Sequence, residues 1–362
     1  MSRRPVPTAS PCPQQAQTVM QNKVTSFKIE FPPPYLTVQK FAGIRPQPRP
    51  AKLAYNRNVR FEIRQSESAS ILSPTTGFIA QAGFTHSLSP ARNCTFACTY
   101  CYVPTMRIYG GLKPEDWNHW GRFTTFKSNA PALLRAALRP AQKIYCSPLV
   151  DPYQPAEETE CMMPRLLDEL IARPPQVFAI QTRGPLILRD IARLQRLAGR
   201  TTLRVSFSIT TDDDGVRRLY EPHCAPIAER LETVRRLRAA GLAVYATLAP
   251  LLPCDPEGLM KLALEATDED IIGDPFHVRA VKKCGATTRD AGLRISYAQG
   301  FTEWHDPGFQ TAVTERMRQK AAAAGRRFAT GPQAFGWLAE TPGEVHHDGN
   351  GNGKRSPRTT GN

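Results

Sequence analysis

Three cysteines crowd into one short stretch, Cys94 to Tyr102, which reads CTFACTYCY. Three residues separate Cys94 from Cys98, and two separate Cys98 from Cys101. Three thiolates on one short loop can hold three corners of an iron–sulfur cube. Since no fourth cysteine follows at matching spacing, the fourth iron would stay open to a small ligand. The spacing therefore predicts a reactive cluster rather than a simple electron carrier.

The alternatives for such a cysteine group are a zinc site and a disulfide framework. Zinc would need a second Cys or His pair at ligand spacing, and the only close pair of histidines is His346-His347 near the end. Disulfides are typical of exported proteins, and the sequence shows no export signal. The remaining cysteines are isolated: Cys12, Cys146, Cys161, Cys224, Cys254 and Cys284. An iron–sulfur site is therefore favoured.

The cysteine spacing, with the aromatic Tyr100 before the third cysteine, resembles that of the radical S-adenosylmethionine (radical SAM) enzymes. The resemblance implies a 4Fe–4S cluster on Cys94, Cys98 and Cys101, whose open iron binds S-adenosylmethionine. It also implies reductive cleavage to a 5′-deoxyadenosyl radical, with an electron donor such as a flavodoxin or ferredoxin as partner. Tyr102 narrows the resemblance to the spore photoproduct lyase-like branch, also called DNA repair photolyase-like.

Length and hydropathy limit the class of protein. A chain of 362 residues with 41% hydrophobic residues can bury one large α/β domain with extensions. No run of about 18 apolar residues occurs, so we expect no membrane span and no membrane partner. Polar, proline-rich sequence follows the basic N-terminus where a signal peptide would be apolar. These features predict a cytoplasmic protein and leave the oligomeric state open.

The net charge of +15 raises nucleic acid as a candidate partner. Residues 1–60 carry ten Lys or Arg and one acidic residue, Glu30, so most of the excess lies in the first sixth of the chain. Such an arm either contacts phosphates or stays a solvated tail. The charge alone leaves both possibilities open.

Apolar strand-like runs alternate with helical stripes from about residue 83. The helix after residue 184 carries Ile187, Ile191, Leu194 and Leu197 on one face. Strands are predicted near 83–89, 143–150, 176–182, 203–210, 242–249 and 277–282. This alternation indicates a parallel sheet covered by helices, either open or closed into a barrel. The family resemblance implies an α/β fold of the partial (β/α)6 TIM-like barrel type, with N- and C-terminal extensions.

The composition also predicts boundaries along the chain. We expect a disordered, proline-rich basic arm at 1–50, an N-terminal layer at 51–82 and the radical SAM core at 83–300. A helical C-terminal segment is expected at 301–340, and a disordered, glycine- and asparagine-rich tail at 341–362.

The segment from Ser147 to Glu157, SPLVDPYQPAE, lies at the end of the second predicted strand. It resembles the Thr-Asp-Pro-Tyr-Gln-Pro-x-Glu signature of the lyase-like branch, with Val150 in place of Thr. The carboxyl ends of barrel strands are where cofactor contacts collect, although two prolines also suit a simple turn. The preceding Cys146 either donates a hydrogen atom, as a cysteine does in spore photoproduct lyase, or packs in the core. Strand alternation prevents Cys146 and Ser147 from facing the same side, which favours packing.

The resemblance extends to further positions. Relatives usually have Thr-Lys where this chain has Thr182-Arg183, near the cofactor carboxylate. Ser206 and Ser208, on one face of the fourth predicted strand, either contact the ribose or methionine moiety or bond to nearby backbone. The element beginning Glu221-Pro222 suggests a carboxylate for the ribose hydroxyls. The cofactor site implied by the resemblance consists of Tyr100, Ser147, Asp151, Thr182, Arg183, Ser206 and Glu221.

Two hypotheses of different class follow. The first is a radical SAM enzyme of the lyase-like branch, whose substrate and catalytic residues the sequence does not identify. The second is a nucleic-acid-binding protein in which a cluster or metal only stabilises the fold. The 151–157 signature favours the first, because a structural metal site would not require it.

Overall fold

A computed structural model describes residues 61–105, 119–279, 288–341 and 343 of the chain. The predicted basic arm at 1–50 and nearly all of the predicted tail lie outside the described residues. Both remain predictions.

The described strands and helices alternate along most of the chain. The strands are β1 Glu62–Ser66, β2 Leu72–Pro74, β3 His86–Leu88, β4 Ala91–Arg92, β5 Phe123–Lys127, β6 Lys143–Cys146, β7 Val177–Thr182, β8 Thr202–Ser208, β9 Val244–Leu248, β10 Ile271–Gly273 and β11 Phe328–Thr330. The α-helices are α1 Gly77–Gln81, α2 Ala130–Ala137, α3 Glu157–Glu160, α4 Met162–Ala172, α5 Ile191–Ala198, α6 Asp214–Tyr220, α7 Ile227–Ala239, α8 Pro256–Ala266, α9 Asp290–Gln299, α10 Pro307–Ala323 and α11 Gly331–Gly336.

The main sheet has eight strands in the order β11-β10-β9-β8-β7-β6-β3-β2. From β3 to β11 every neighbouring pair is parallel, and only the edge strand β2 is antiparallel. Parallel neighbours require crossover connections, which explains the helices between consecutive strands. The α/β class and the parallel sheet predicted from the sequence are confirmed.

The sheet is curled but does not close into a complete barrel. Its two edge strands do not pair with each other in the described part of the chain. Helix α1 follows edge strand β2, and helix α11 follows the opposite edge strand β11. The two helices meet, with the rings of Phe78 and Phe335 at 5.2 Å. The strands therefore form an incomplete barrel whose gap is covered by two short helices.

Two apolar clusters occupy the two faces of the sheet. Phe178, Ile180 and Phe207 point toward the helices and belong to the larger cluster. Val177 and Ala179, on the opposite face of β7, pack in a second cluster with the segment 334–339. Strand alternation thus divides each strand between two cores. The C-terminal segment fills part of the inner face.

A small three-stranded sheet, β1-β5-β4, frames the cysteine stretch. Strand β4 ends two residues before Cys94, and β1 and β4 flank β5. The Thr124 hydroxyl on β5 donates to the carbonyl of Asn93 at 3.1 Å. Part of the predicted N-terminal layer, strand β1, therefore supports the loop that carries the cysteines.

One prediction about the C-terminal half of the sheet was wrong. The sixth parallel strand is Ile271–Gly273 rather than 277–282, of which only 277–279 are described. Pro275 has no N–H for the ladder, and Phe276 instead buries its side chain in the core. Strand β11 adds a seventh parallel strand within the segment predicted to be helical. Three residues are too short to display a strand period.

None of the helices in the described residues has the length and apolarity needed to cross a lipid bilayer.

Candidate active site

A cavity of about 920 Å³ opens at the carboxyl ends of the parallel strands. Ser147 follows β6, Arg183 follows β7 and Ala249 follows β9, and all three line the cavity. Asp274 and Gly331, directly after β10 and β11, also line it. The carboxyl edge of a parallel sheet is where such folds place their sites, because every strand there ends in a loop.

The three motif cysteines all line this cavity. Cys94 and Cys98 are buried, Cys101 is half-buried, and each is a free thiol. Burial raises the pKa of Cys94 well above its usual range and that of Cys101 to about 12. The pKa of Cys98 is lowered, chiefly because the Cys224 thiol hydrogen-bonds to its sulfur.

Three separate segments hold the cysteine loop in place. The amide of Gln154 accepts from the backbone N–H of Thr95 at 2.8 Å, in the loop after β6. The N–H of Thr99 donates to the carbonyl of Tyr220 at 2.9 Å, at the end of α6. The N–H of Arg289, before α9, donates to the carbonyl of Tyr100 at 3.2 Å. The loop conformation is therefore fixed by contacts with distant parts of the chain.

The donor set fits a 4Fe–4S cluster. A cluster binds each thiolate at a separate iron corner, so its ligands share a cavity without meeting at one point. In the described part of the chain no three Cys, His, Asp or Glu side chains converge on a single ion. Cys94, Cys98 and Cys101 share the cavity wall with the guanidinium of Arg183. A cation at the wall suits the negative charge of three thiolates.

Asp151 joins the ends of β6 and β7 at the cavity. Its carboxylate accepts from the Thr182 hydroxyl at 2.6 Å, from the Arg183 N–H at 2.8 Å and from the Tyr153 N–H at 2.9 Å. Burial raises the pKa of Asp151, and these hydrogen bonds oppose that rise. Asp151 lines the cavity, whereas Thr182 lies behind it as the partner that orients the carboxylate.

A buried charge network lies beneath Cys98. Nη1 of Arg183 donates to Glu221 and to the Tyr100 hydroxyl, and it lies 3.5 Å from the Cys98 sulfur. Tyr100 donates to Glu221 at 2.5 Å, and the side chain of Arg230 completes the set. Burial alone would raise the pKa of Glu221, but Arg230 and Arg183 outweigh it and lower that pKa to about 2. Glu221 is fully buried and outside the cavity lining, so it anchors Arg183 and Tyr100.

The predicted serines divide between two places. Ser147 lines the cavity and donates to the Ser89 hydroxyl at 3.0 Å. The hydroxyl of Ser206 pairs with that of Thr247 at 2.7 Å, and Ser206 does not line the cavity. Ser208, two residues closer to the strand end, lines it instead, with a buried hydroxyl that has no partner among the described residues. Ser206 and Ser208 lie on the same face of β8, so their position along the strand decides which of them reaches the cavity.

Cys146 lies on the opposite face of β6 from the cavity. Tyr145 and Ser147 line the cavity on either side of it, whereas Cys146 is fully buried in the larger apolar cluster. Burial raises the pKa of the Cys146 thiol. This placement agrees with the packing interpretation of Cys146.

Sequence reasoning missed a polar pair at the cavity. Asp274 and His277 both line it, and Nε2 of His277 lies 3.2 Å from the Asp274 carboxylate. The loop that carries them is anchored by Gln310, whose amide donates to the carbonyl of Phe276 at 2.8 Å. A correct placement of strand β10 would have put Asp274 at a strand end and so marked it as a candidate.

Solved structures similar to this chain include spore photoproduct lyase complexed with dinucleoside spore photoproduct. That match has 16% identity and a TM-score of 0.46, and it covers 74% of this chain and 86% of the other. A mutant of spore photoproduct lyase matches with 16% identity and a TM-score of 0.47, over 67% of this chain and 70% of the other.

Similar sequences include an uncharacterized protein of Mycobacterium tuberculosis. It is 30% identical over 177 residues, which is 47% of this chain and 50% of the relative. An uncharacterized protein of Methanocaldococcus jannaschii is 24% identical over 196 residues, which is 54% of this chain and 70% of the relative. The chain thus spans about half the length of the mycobacterial relative.

The model of the radical SAM superfamily matches residues 88–263. The matched segment begins at the end of β3, contains all three motif cysteines and extends into α8. It therefore includes the cysteine loop and four complete parallel strands of the main sheet, β6 to β9. The chain therefore matches the radical SAM superfamily over residues 88–263, just under half of its length.

Proposed function

We propose that this chain is a radical SAM enzyme of the spore photoproduct lyase-like branch. Cys94, Cys98 and Cys101 would hold a 4Fe–4S cluster, and S-adenosylmethionine would bind beside it. The observation that carries the proposal is that all three thiols share one cavity with Asp151 and Arg183, at the carboxyl edge of the parallel sheet. When bound, the cluster supplies the electron that cleaves S-adenosylmethionine and yields a 5′-deoxyadenosyl radical.

The residues of this chain bind and orient the cofactor. Arg183 brings a positive charge to the cavity wall, held there by Glu221, and that charge suits the cofactor carboxylate. Ser147 and Ser208 offer hydroxyls to the polar parts of the cofactor. Thr182 and Glu221 would act through Asp151 and Arg183 rather than touch the cofactor. Ser206 would act only through its hydrogen bond to Thr247.

The remainder of the cavity wall is mostly apolar. Phe78 and Phe335 line the side where the two edges of the sheet approach each other. Such a wall excludes water from a reactive intermediate. The substrate is unidentified, with nucleic acid as the candidate that the net charge of +15 supports. We also propose a cytoplasmic location and a flavodoxin or ferredoxin as the electron donor.

The first prediction tests the proposed function. Anaerobic reconstitution should give about four irons and four sulfides per chain. The reduced protein should then convert S-adenosylmethionine to 5′-deoxyadenosine, measured by chromatography. Replacing Cys94, Cys98 and Cys101 together by Ala should abolish both results, whereas Cys254→Ala should preserve them, because Cys254 lies outside the cavity lining.

Two outcomes would contradict the proposal. A triple variant that keeps the full cluster spectrum would remove the three cysteines as ligands. A fully loaded, reduced protein that neither binds nor cleaves S-adenosylmethionine would favour the alternative, a nucleic-acid-binding protein with a structural cluster.

A further inference from the structure

The three motif cysteines do not have equivalent surroundings. The sulfur of Cys98 lies 4.0 Å from the sulfur of Cys224 and 3.5 Å from Nη1 of Arg183. The sulfur of Cys94 takes hydrogen bonds from backbone groups of Asp151 and Phe96 instead. Cys98 is therefore the motif cysteine that meets a second thiol and a guanidinium together.

Hydrogen bonds hold Cys224 in place, and an ion pair holds Arg183 in place. Cys224 is buried, its N–H donates to the carbonyl of Glu221 at 3.1 Å, and its carbonyl accepts from Arg217 at 3.0 Å. Arg183 is fixed by its ion pair with Glu221. Glu221 thus anchors both groups, one through its carboxylate and one through its carbonyl.

The direction of the hydrogen bonds follows from the chemistry of a cluster ligand. A ligating Cys98 is a thiolate, which can only accept, so the Cys224 thiol must donate its proton toward it. The Arg183 guanidinium has donors only. Two donors, one of them cationic, would therefore withdraw electron density from a single ligand sulfur.

We propose that Cys224 and Arg183 are positioning residues that raise the reduction potential of the cluster through the Cys98 sulfur. The inference rests on the proposed function, since it needs Cys98 as a cluster ligand. Reduction adds one negative charge, and donors to the ligand sulfurs stabilise that charge. The reduced cluster is the more electron-rich state, so these hydrogen bonds stabilise it more than they stabilise the oxidised cluster. The wild-type cluster is therefore easier to reduce than one without these donors.

The second prediction is a set of shifted potentials. Cys224→Ala removes the thiol donor, and Arg183→Met removes the cationic donor at similar side-chain length. Redox titration of the reconstituted variants, followed by electron paramagnetic resonance, should show more negative midpoint potentials than wild type. We expect Arg183→Met to change the reduction equilibrium about tenfold, which is about 59 mV for one electron, and Cys224→Ala to change it about threefold. Iron and sulfide are measured in each variant to check that all of them carry the same amount of cluster.

Matched variants distinguish a specific shift in the reduction potential from a general disturbance of the fold. Cys254→Ala also removes a thiol, but outside the cavity lining, and should keep the wild-type potential. Cys224→Ser replaces the S–H donor by an O–H donor on a shorter bond, farther from the Cys98 sulfur, and its potential should lie between wild type and Cys224→Ala. If Cys224→Ala loads poorly, the Cys224→Ser potential carries the test, because the greater distance still predicts a negative shift.

Failure of this inference is distinct from failure of the proposed function. Fully loaded Cys224 and Arg183 variants at the wild-type potential would overturn the inference while leaving the cluster assignment intact. A wild-type protein that assembles no cluster would overturn the proposed function itself.

Discussion

Glu221 shows how a single carboxylate can organise a site without entering it. The side chains of Glu221 and Arg230 are both fully buried and form an ion pair. Tyr100, Thr210 and Arg183 also donate to the same carboxylate. A buried charge is tolerable only when it is paired and hydrogen-bonded, and Glu221 meets both conditions.

The third prediction concerns the replacement Glu221→Gln. Removing the negative charge leaves the guanidinium of Arg230 buried without a counter-ion. We expect a loss of about 3–5 kcal/mol in the free energy of unfolding, measured by urea denaturation. The matched control is Glu257→Gln, because Glu257 pairs with Arg316 at the surface. The Glu257→Gln variant should lose no more than about 1 kcal/mol in the free energy of unfolding. Equal losses in the two variants would contradict the assigned role.

The same carboxylate sets a pH dependence. The pKa of Glu221 falls from an ordinary 4.5 to about 2 in the folded chain. Its contribution to stability is therefore complete above about pH 4.5 and is lost as the pH falls toward 2. The difference in unfolding free energy between wild type and Glu221→Gln should shrink over that interval. A difference that stays constant from pH 6 to pH 3 would show that the charge of Glu221 is not the cause.

At the scale of elements, the cysteine loop depends on the turn that precedes β5. Gly121 has a φ of +89°, and a Cβ added there would overlap the Cβ of Ala97. Ala97 itself has a φ of +57°, so the loop is already in an unusual conformation. The two segments approach so closely that only a glycine fits at residue 121.

The fourth prediction compares two glycine substitutions. Gly121→Ala adds a methyl group that must displace the cysteine loop, so we expect reduced cluster loading, measured as iron per chain. Gly241→Ala is the control, because Gly241 has a φ of +78° with no atom within 4 Å of the added Cβ. Both variants should lose about 1–3 kcal/mol from backbone strain. If cluster loading falls equally in Gly121→Ala and Gly241→Ala, lost stability alone would explain the effect.

At the scale of the whole molecule, the described part of the candidate site is built from loops that follow seven strands. Among the described residues, those that line the cavity lie between Gly77 and Phe335. Residues 1–50 carry seven Lys or Arg and ten prolines. Deleting residues 1–50 removes none of these lining residues.

The fifth prediction uses a chain that lacks residues 1–50. Its cluster content and cleavage of S-adenosylmethionine should equal those of the full chain. Binding to a duplex DNA probe should weaken, and its dependence on salt should flatten, because fewer counterions are released. Fluorescence anisotropy over a range of salt concentrations measures both. An unchanged salt slope would remove the arm from nucleic-acid binding, and loss of the cluster would mean that the arm packs on the core.

The sequence by itself determined those features that depend on nearby residues. The cysteine spacing identified three thiols that share one cavity, and the apolar periods predicted the alternation of strands and helices. Leu194 and Leu197 are buried on the predicted face of α5. These features are local, because spacing within one loop or helix already fixes which side chains lie together.

Only the tertiary structure decided which distant groups meet. Cys98 and Cys224 are 126 positions apart, and no local pattern predicts that their sulfurs lie 4.0 Å from each other. Ser206 and Ser208 share a strand face, yet only the depth of the cavity along β8 shows that Ser208 reaches it. Strand β11 is too short to be recognised until β10 pairs with it. In each case the deciding feature brings together parts of the chain that are distant in sequence, so it depends on the packing of the whole chain rather than on neighbouring residues.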